Sequence, residues 1–174
     1  MHNMVHDGIY LHNWGYFGEG PSLQTCTANI SAWSSGYKAL IEGVFINKFV
    51  AFQEHKLVTK IALDMAFGQA SHYGFRTERS LGLKTAKGGC SSGVGFMWPR
   101  HGMVQNPGRL FIEAKVYSIE VPHEVFGIIT LVSFYGVSGD TENTYANLSR
   151  VIQALDKTRC PYIICGAFNI KKMA

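Results

Sequence analysis

From Ser22 onward, β-prone apolar runs alternate with stretches whose apolar positions recur at helical spacing, and this alternation restricts the chain to an α/β fold. Ser22–Ile30 reads as a short strand, and Ser31 or Ser34 can cap a helix running through Ile41. Phe45–Glu54 is a buried strand that ends on polar residues. Leu57–Phe67 carries Leu57, Ile61, Leu63 and Met65 at near-helical spacing. His72–Thr77 suggests a short strand, and Gly82, Gly88, Gly89 and Gly93 mark Arg79–Gly93 as a loop. Val94–Trp98 resumes as a strand that Pro99 stops. Arg109–Ile119 alternates apolar and polar residues as one half-exposed strand, and Val121–Glu124 turns into Val125–Tyr135, the most hydrophobic strand. Asp140–Lys157 is the best helix, with the stripe Tyr145, Leu148, Val151, Ile152 and Leu155; Tyr162–Cys165 is the last strand. The expected architecture is a layered α/β sandwich of mixed, largely antiparallel sheets with outer helices, one domain over residues 22–174. Residues 1–21 scatter His, Asn and Gly without an apolar core and read as a poorly ordered leader.

Composition narrows the classes further. At 174 residues, 47% apolar and 16% charged, the chain suits a globular domain and excludes a disordered one. No uninterrupted apolar stretch approaches the roughly 20 residues of a membrane helix, so membrane insertion is not expected. The net charge of +4 comes without a Lys/Arg block, and it suits a polyanionic partner no better than a soluble basic domain. Cys26, Cys90, Cys160 and Cys165 lack Cys-x-x-Cys spacing, which argues against zinc and for buried, reduced thiols in an intracellular, cytoplasmic or nuclear, protein. The oligomeric state is left open.

Four strands end on side chains suited to a phosphoester: Asn29, Glu54, Tyr135 and Asn169. Each has a blander reading alone, as a turn residue, a solvated strand end or a core-edge tyrosine. Their recurrence carries the argument, because a rigid sheet holds strand-end residues in place. Glu54 suits a hard divalent ion, since Mg²⁺ commonly takes one or two carboxylates and completes its shell with water and phosphate.

The runs Cys26-Thr27-Ala28-Asn29, Gln53-Glu54, Gly89-Cys90-Ser91-Ser92-Gly93-Val94, Ser133-Phe134-Tyr135 and Gly166-Ala167-Phe168-Asn169 stand in the order found in the endonuclease/exonuclease/phosphatase superfamily, which the chain resembles from Thr27 to Asn169. Within it, endonuclease domains of non-LTR retrotransposons look nearest. The resemblance implies metal-dependent phosphodiester hydrolysis of nuclease type. Glu54 and Asn29 would bind Mg²⁺ or Mn²⁺, Tyr135 and Asn169 would act as catalytic residues on the phosphate, and Lys56, Lys84, Lys87 and Arg100 would contact nucleic acid, DNA rather than RNA. Two departures lower the expected activity to weak or absent. Ala167 stands where the family has the Asp of Gly-Asp-Phe-Asn, and no Ser-Asp-His segment occurs, so the domain is expected to be incomplete at its C-terminus. Losing such an acid-base group costs about 10² or more in rate. The alternatives are a non-catalytic pseudoenzyme or nucleic-acid-binding remnant, and a lipid or inositol phosphate phosphodiesterase on the same scaffold.

Overall fold

The β-prone runs become the strands of two sheets in the computed structural model, which describes residues 3–6, 9–13, 23–42 and 48–170. In chain order the elements are β1 (Asn3–His6), β2 (Ile9–Asn13), β3 (Gln24–Asn29), α1 (Trp33–Ile41), β4 (Phe49–Gln53), α2 (Lys60–His72), β5 (Phe75–Arg79), β6 (Leu83–Lys84), β7 (Cys90–Ser91), β8 (Val94–Pro99), β9 (Asn106–Ile112), β10 (Val116–His123), β11 (Gly127–Tyr135), α3 (Thr141–Asp156) and β12 (Tyr162–Ala167). The first sheet has the order β1-β2-β3-β4-β8-β5 and the second β12-β11-β10-β9, while β6 and β7 form a separate hairpin. Helices and mixed sheets together make this an α/β protein.

Two strand pairs are parallel, β3 with β4 and β11 with β12; the other pairings are antiparallel. Period-two alternation explains how β4 is buried on both faces. Ala51 joins Phe96 and Trp98 in a cluster with Ile119, Leu131 and Cys165 of the second sheet. Val50 and Phe52 point the other way, against Trp33 and Leu40 of α1 and Ala66 and Ala70 of α2. On the second sheet, Val132 and Phe134 pack with Val151 and Leu155 of α3, the stripe visible in the sequence. Fully burying a side chain such as Phe52 or Phe134 stabilises the fold by about 1.5–3 kcal/mol.

Several boundaries differ from the sequence reading, each for a local reason. Asn3–His6 and Ile9–Asn13, assigned above to a leader, form β1 and β2, and β2 pairs antiparallel with β3. An Asp7-Gly8 dipeptide between β-prone residues is the hairpin signal that the leader reading passed over. The remainder of that leader, and residues 45–47 of the strand expected from Phe45, lie outside the described residues. Helix α2 begins at Lys60, not Leu57, because Thr59 caps it by accepting a bond from the Ala62 N–H at 3.2 Å. Neither Ser31 nor Ser34 caps α1, whose N-cap is Ala32 with no side-chain cap bond. The expected loop Arg79–Gly93 contains the β6–β7 hairpin.

The largest change concerns Arg109–Ile119, read as one strand. It breaks between Ile112 and Val116: Ala114 adopts φ 56° and the Lys115 N–H donates to the Ile112 carbonyl at 3.1 Å. Both flanking segments alternate in the same phase, so the tight turn between them leaves no mark on the pattern. Strand β10 then continues through Val121 to His123, past the expected turn. Of the four free cysteines, Cys26 and Cys165 are buried as expected, whereas Cys90 is exposed on the hairpin. Among the described residues no helix is long and apolar enough to cross a membrane.

Candidate functional site

The parallel pairs bring four C-terminal strand ends to one rim. Asn29 and Gln53 are register partners at the ends of β3 and β4, and Tyr135 and Ala167 are register partners at the ends of β11 and β12. A buried polar chain joins the two pairs beneath the rim. Thr27 Oγ1 donates to Gln53 Oε1 at 3.2 Å, Gln53 Nε2 donates to Ser133 Oγ at 3.1 Å, and Ser133 Oγ donates to the Phe52 carbonyl at 3.2 Å. Each of these residues adjoins a rim residue or lies two positions from one, so satisfying the buried groups also sets the height of the strand ends.

Above this chain the Tyr135 hydroxyl donates to Glu54 Oε1 and lies 3.1 Å from Ser138 Oγ. Asn169 Nδ2 donates to the Gly136 carbonyl at 2.9 Å and to Ser138 Oγ at 3.4 Å. Burial raises the Tyr135 pKa, and its bond to the Glu54 carboxylate raises it further, so the phenol stays protonated and keeps donating. Glu54, Tyr135 and Asn169, far apart in sequence, therefore form one connected group.

The backbone at this rim is strained. Ser31, Glu54, Lys56, Ser92, Ala114 and Asn169 all have φ between 52° and 60°; among the described residues only Arg159 shares this non-glycine conformation elsewhere. Left-handed backbone costs about 1–3 kcal/mol at a non-glycine residue and persists where its surroundings over-determine it, often around functional groups. Here the constraint is visible: the Lys56 N–H donates to the Ser92 carbonyl at 3.0 Å, and the Gly93 N–H donates to the Ala114 carbonyl at 3.1 Å.

The roles expected for individual residues change once their bonds are counted. Asn29 Oδ1 accepts from the Ser31 N–H at 3.1 Å and keeps a second lone pair, while its NH₂ is a donor suited to a phosphate oxygen. The Asn169 amide engages Gly136, Ser138 and Tyr135, which makes Asn169 a clamp on the Tyr135–Ser138 loop. Ala167 packs beside Tyr135 in the inter-sheet cluster, where an aspartate would place a carboxylate among the rim residues. Lys56 follows Glu54 on the same rim, and exposed Lys87 extends from the hairpin anchored there by the Gly82 N–H to Leu57 carbonyl bond of 2.8 Å. Arg100 does not belong to the group. It follows β8, whose Val94 pairs with Gln53 while its Met97 pairs with Val50, so it leaves the sheet at the opposite end. At about 3.3 Å per residue, the six positions from Val94 separate it from the rim by roughly 20 Å.

Two rim residues escaped the sequence reading. Ser138 links Tyr135 to Asn169. Lys115, at the β9–β10 turn, holds its Nζ 4.5 Å from the Tyr135 ring centroid, and its backbone carbonyl accepts from the Tyr135 N–H at 2.8 Å. Partial burial lowers its pKa, and the nearby Glu54 carboxylate partly offsets this.

The donor set answers the question of a divalent ion. Among the described residues no three His, Cys, Asp or Glu side chains gather at one place. Glu54 is the single carboxylate of the rim group, one of its oxygens accepts from Tyr135, and an ammonium lies close by. Glu54, with Asn29 at the neighbouring strand end, is the group that would hold Mg²⁺ or Mn²⁺ here, as one carboxylate whose ion completes its shell with water and phosphate.

No protein-family model matches the chain, and no curated protein matches its sequence. The functional reading therefore rests on the side chains themselves.

Proposed function

We propose that this chain is a phosphodiester-binding module for nucleic acid, built as a layered α/β sandwich of the endonuclease/exonuclease/phosphatase type, with hydrolysis weak or absent. The observation that carries the reading is the convergence of Glu54, Tyr135 and Asn169 on one rim through Tyr135 and Ser138, with Ala167 beside Tyr135. The rim keeps hydrogen-bond donors and basic residues for a phosphodiester backbone. It lacks the aspartate that would orient or deprotonate an attacking water. DNA is the favoured target, and an intracellular place, cytoplasmic or nuclear, goes with it.

A second reading, metal-dependent phosphodiester hydrolysis, has one observation in its favour: no partner occupies Glu54 Oε2 among the described residues. One experiment separates the two. The chain should bind a fluorescein-labelled DNA duplex with an affinity that falls as salt rises, while nicking of supercoiled plasmid in Mg²⁺ stays at background. Robust nicking that Glu54→Ala abolishes would convert the module into an enzyme. Absence of DNA binding at low salt would remove the nucleic-acid reading, and competition by phospholipid vesicles or inositol phosphates would then test the remaining alternative. Ala167→Asp should raise Mg²⁺-dependent nicking above the parent chain, because it returns a second carboxylate to the rim.

A further inference from the structure

We infer that Lys115 is the phosphate-binding cation of this rim and gives the chain a grip on phosphodiesters that needs no metal ion. The inference rests on the phosphodiester-binding reading above and deepens it. Its starting point is which donors are already spent. The Tyr135 hydroxyl is committed to Glu54, the Asn169 amide to Gly136 and Ser138, and one lone pair of the Asn29 oxygen to Ser31. Lys115 is different: among the described residues its ammonium makes no hydrogen bond or ion pair, and it rests on the face of the Tyr135 ring with the Glu54 carboxylate in its vicinity. Three N–H donors on a half-buried cation are thus free at the centre of the group.

The backbone holds this cation in place. The turn that carries it is tied to Gly93, just before β8, by the Gly93 N–H to Ala114 carbonyl bond and to β11 by the Tyr135 N–H to Lys115 carbonyl bond. A long side chain that would otherwise sample many rotamers is laid along an aromatic face, so less entropy is lost when a phosphate arrives. Charge leads to the same place. With alanine at position 167, the Lys115 ammonium has the Glu54 carboxylate as its nearby counter-charge, with no second carboxylate beside Tyr135 at the end of β12. An aspartate there would tip the balance toward a divalent ion. In this chain the ammonium does the neutralising that a metal would do on a carboxylate-rich rim.

The test is fluorescence anisotropy of the full chain with a short labelled DNA duplex and with its single strand, in EDTA, across a salt series. The parent chain should bind without divalent ions. Lys115→Gln should weaken binding about tenfold and lower the salt slope by about one phosphate contact, while Lys115→Arg should keep most of both. Thermal melts check that the variants fold. Reductive methylation of the parent chain gives a readout that requires no substitution: bound DNA should protect Lys115 while exposed Lys157, at the C-terminal end of α3 away from the rim, stays reactive. Metal-free binding with Lys115→Gln unchanged and Lys115 unprotected would overturn the role of Lys115 and leave the phosphodiester-binding reading standing. Binding seen only with Mg²⁺ would overturn the metal-free grip. No binding under either condition would remove both.

Discussion

The two ends of the sheets make opposite offers to a ligand. At the end where β4 begins lies an open cavity, about 570 Å³, lined by Phe67, Arg76, Glu78, Trp98, Arg100 and Val104 among others. Its charged groups serve the fold: Glu78 accepts from the Tyr117 hydroxyl at 3.2 Å, and Arg100 Nη2 approaches the Ser71 carbonyl at 3.5 Å. At the end where β4 finishes, Glu54, Tyr135, Ser138 and Asn169 are bonded into one group on a strained backbone, with the turn bearing Lys115 against the Tyr135 ring. Open volume and basic side chains mark the first end, strain and convergence the second. Strain costs stability and must be held by its surroundings, so it is the better guide to where a functional group is positioned.

The largest expected effect tests whether the convergent end tolerates less change than the rest of the molecule. A Cβ at Gly166 would collide with the Phe134 carbonyl across the β11–β12 pair, which is backbone that cannot swing away. Gly166→Ala should cost about 3 kcal/mol or more, read as a fall in the urea midpoint or as loss of soluble protein. Gly68, in the interior of α2, has open space around its missing Cβ. Gly68→Ala should have the opposite sign, a gain of up to about 1 kcal/mol from helix propensity. If both substitutions cost the same, the contrast in packing fails.

A smaller effect comes from His55, which sits directly after Gln53 and Glu54. It is 1% exposed, its Nδ1 accepts from the Leu57 N–H at 3.1 Å, and its Nε2 makes no hydrogen bond among the described residues. Burial, reinforced by the Arg79 guanidinium, lowers its pKa from 6.5 to about 3. The unfolded chain therefore takes up a proton first as pH falls, and stability is complete above about pH 6.5 and declines toward about pH 3. The decline is about 1.4 kcal/mol per pH unit inside that window. Urea unfolding between about pH 7 and about pH 5 should show a loss near 2 kcal/mol, before most carboxylates titrate. His55→Asn, which keeps an acceptor for Leu57, should flatten the profile. An equally steep profile in that variant would move the pH sensitivity elsewhere.

The sequence made the convergence legible but not its wiring. Asn29, Glu54, Tyr135 and Asn169 were readable because apolar strands announce their own ends. Ala167 was readable because its neighbours Gly166, Phe168 and Asn169 retain the surrounding pattern. Lys115 was not, since the alternation of Ile112, Ala114 and Val116 hides a turn that depends on a left-handed alanine. Nor were the bonds of each amide, which depend on loop geometry around Ser31 and Ser138. Arg100 shows the converse failure: a basic residue after a strand looks useful until strand direction decides which end it leaves from.

The smallest expected effect is the most discriminating between the two ends. Arg76→Ala combined with Arg100→Ala removes two positive charges from the open cavity, twice the charge lost in Lys115→Gln. If long-range attraction alone governed DNA binding, the double variant would weaken it more. If contact at the convergent rim governs, charges roughly 13 Å (Arg76) and 20 Å (Arg100) along the strands from it lie beyond the Debye length of about 8–10 Å near physiological salt and are largely screened. Anisotropy titrations at that ionic strength should place the double variant within about twofold of the parent chain. A tenfold loss would transfer the binding site to the cavity, because screening leaves direct contact as the way those arginines could matter so much.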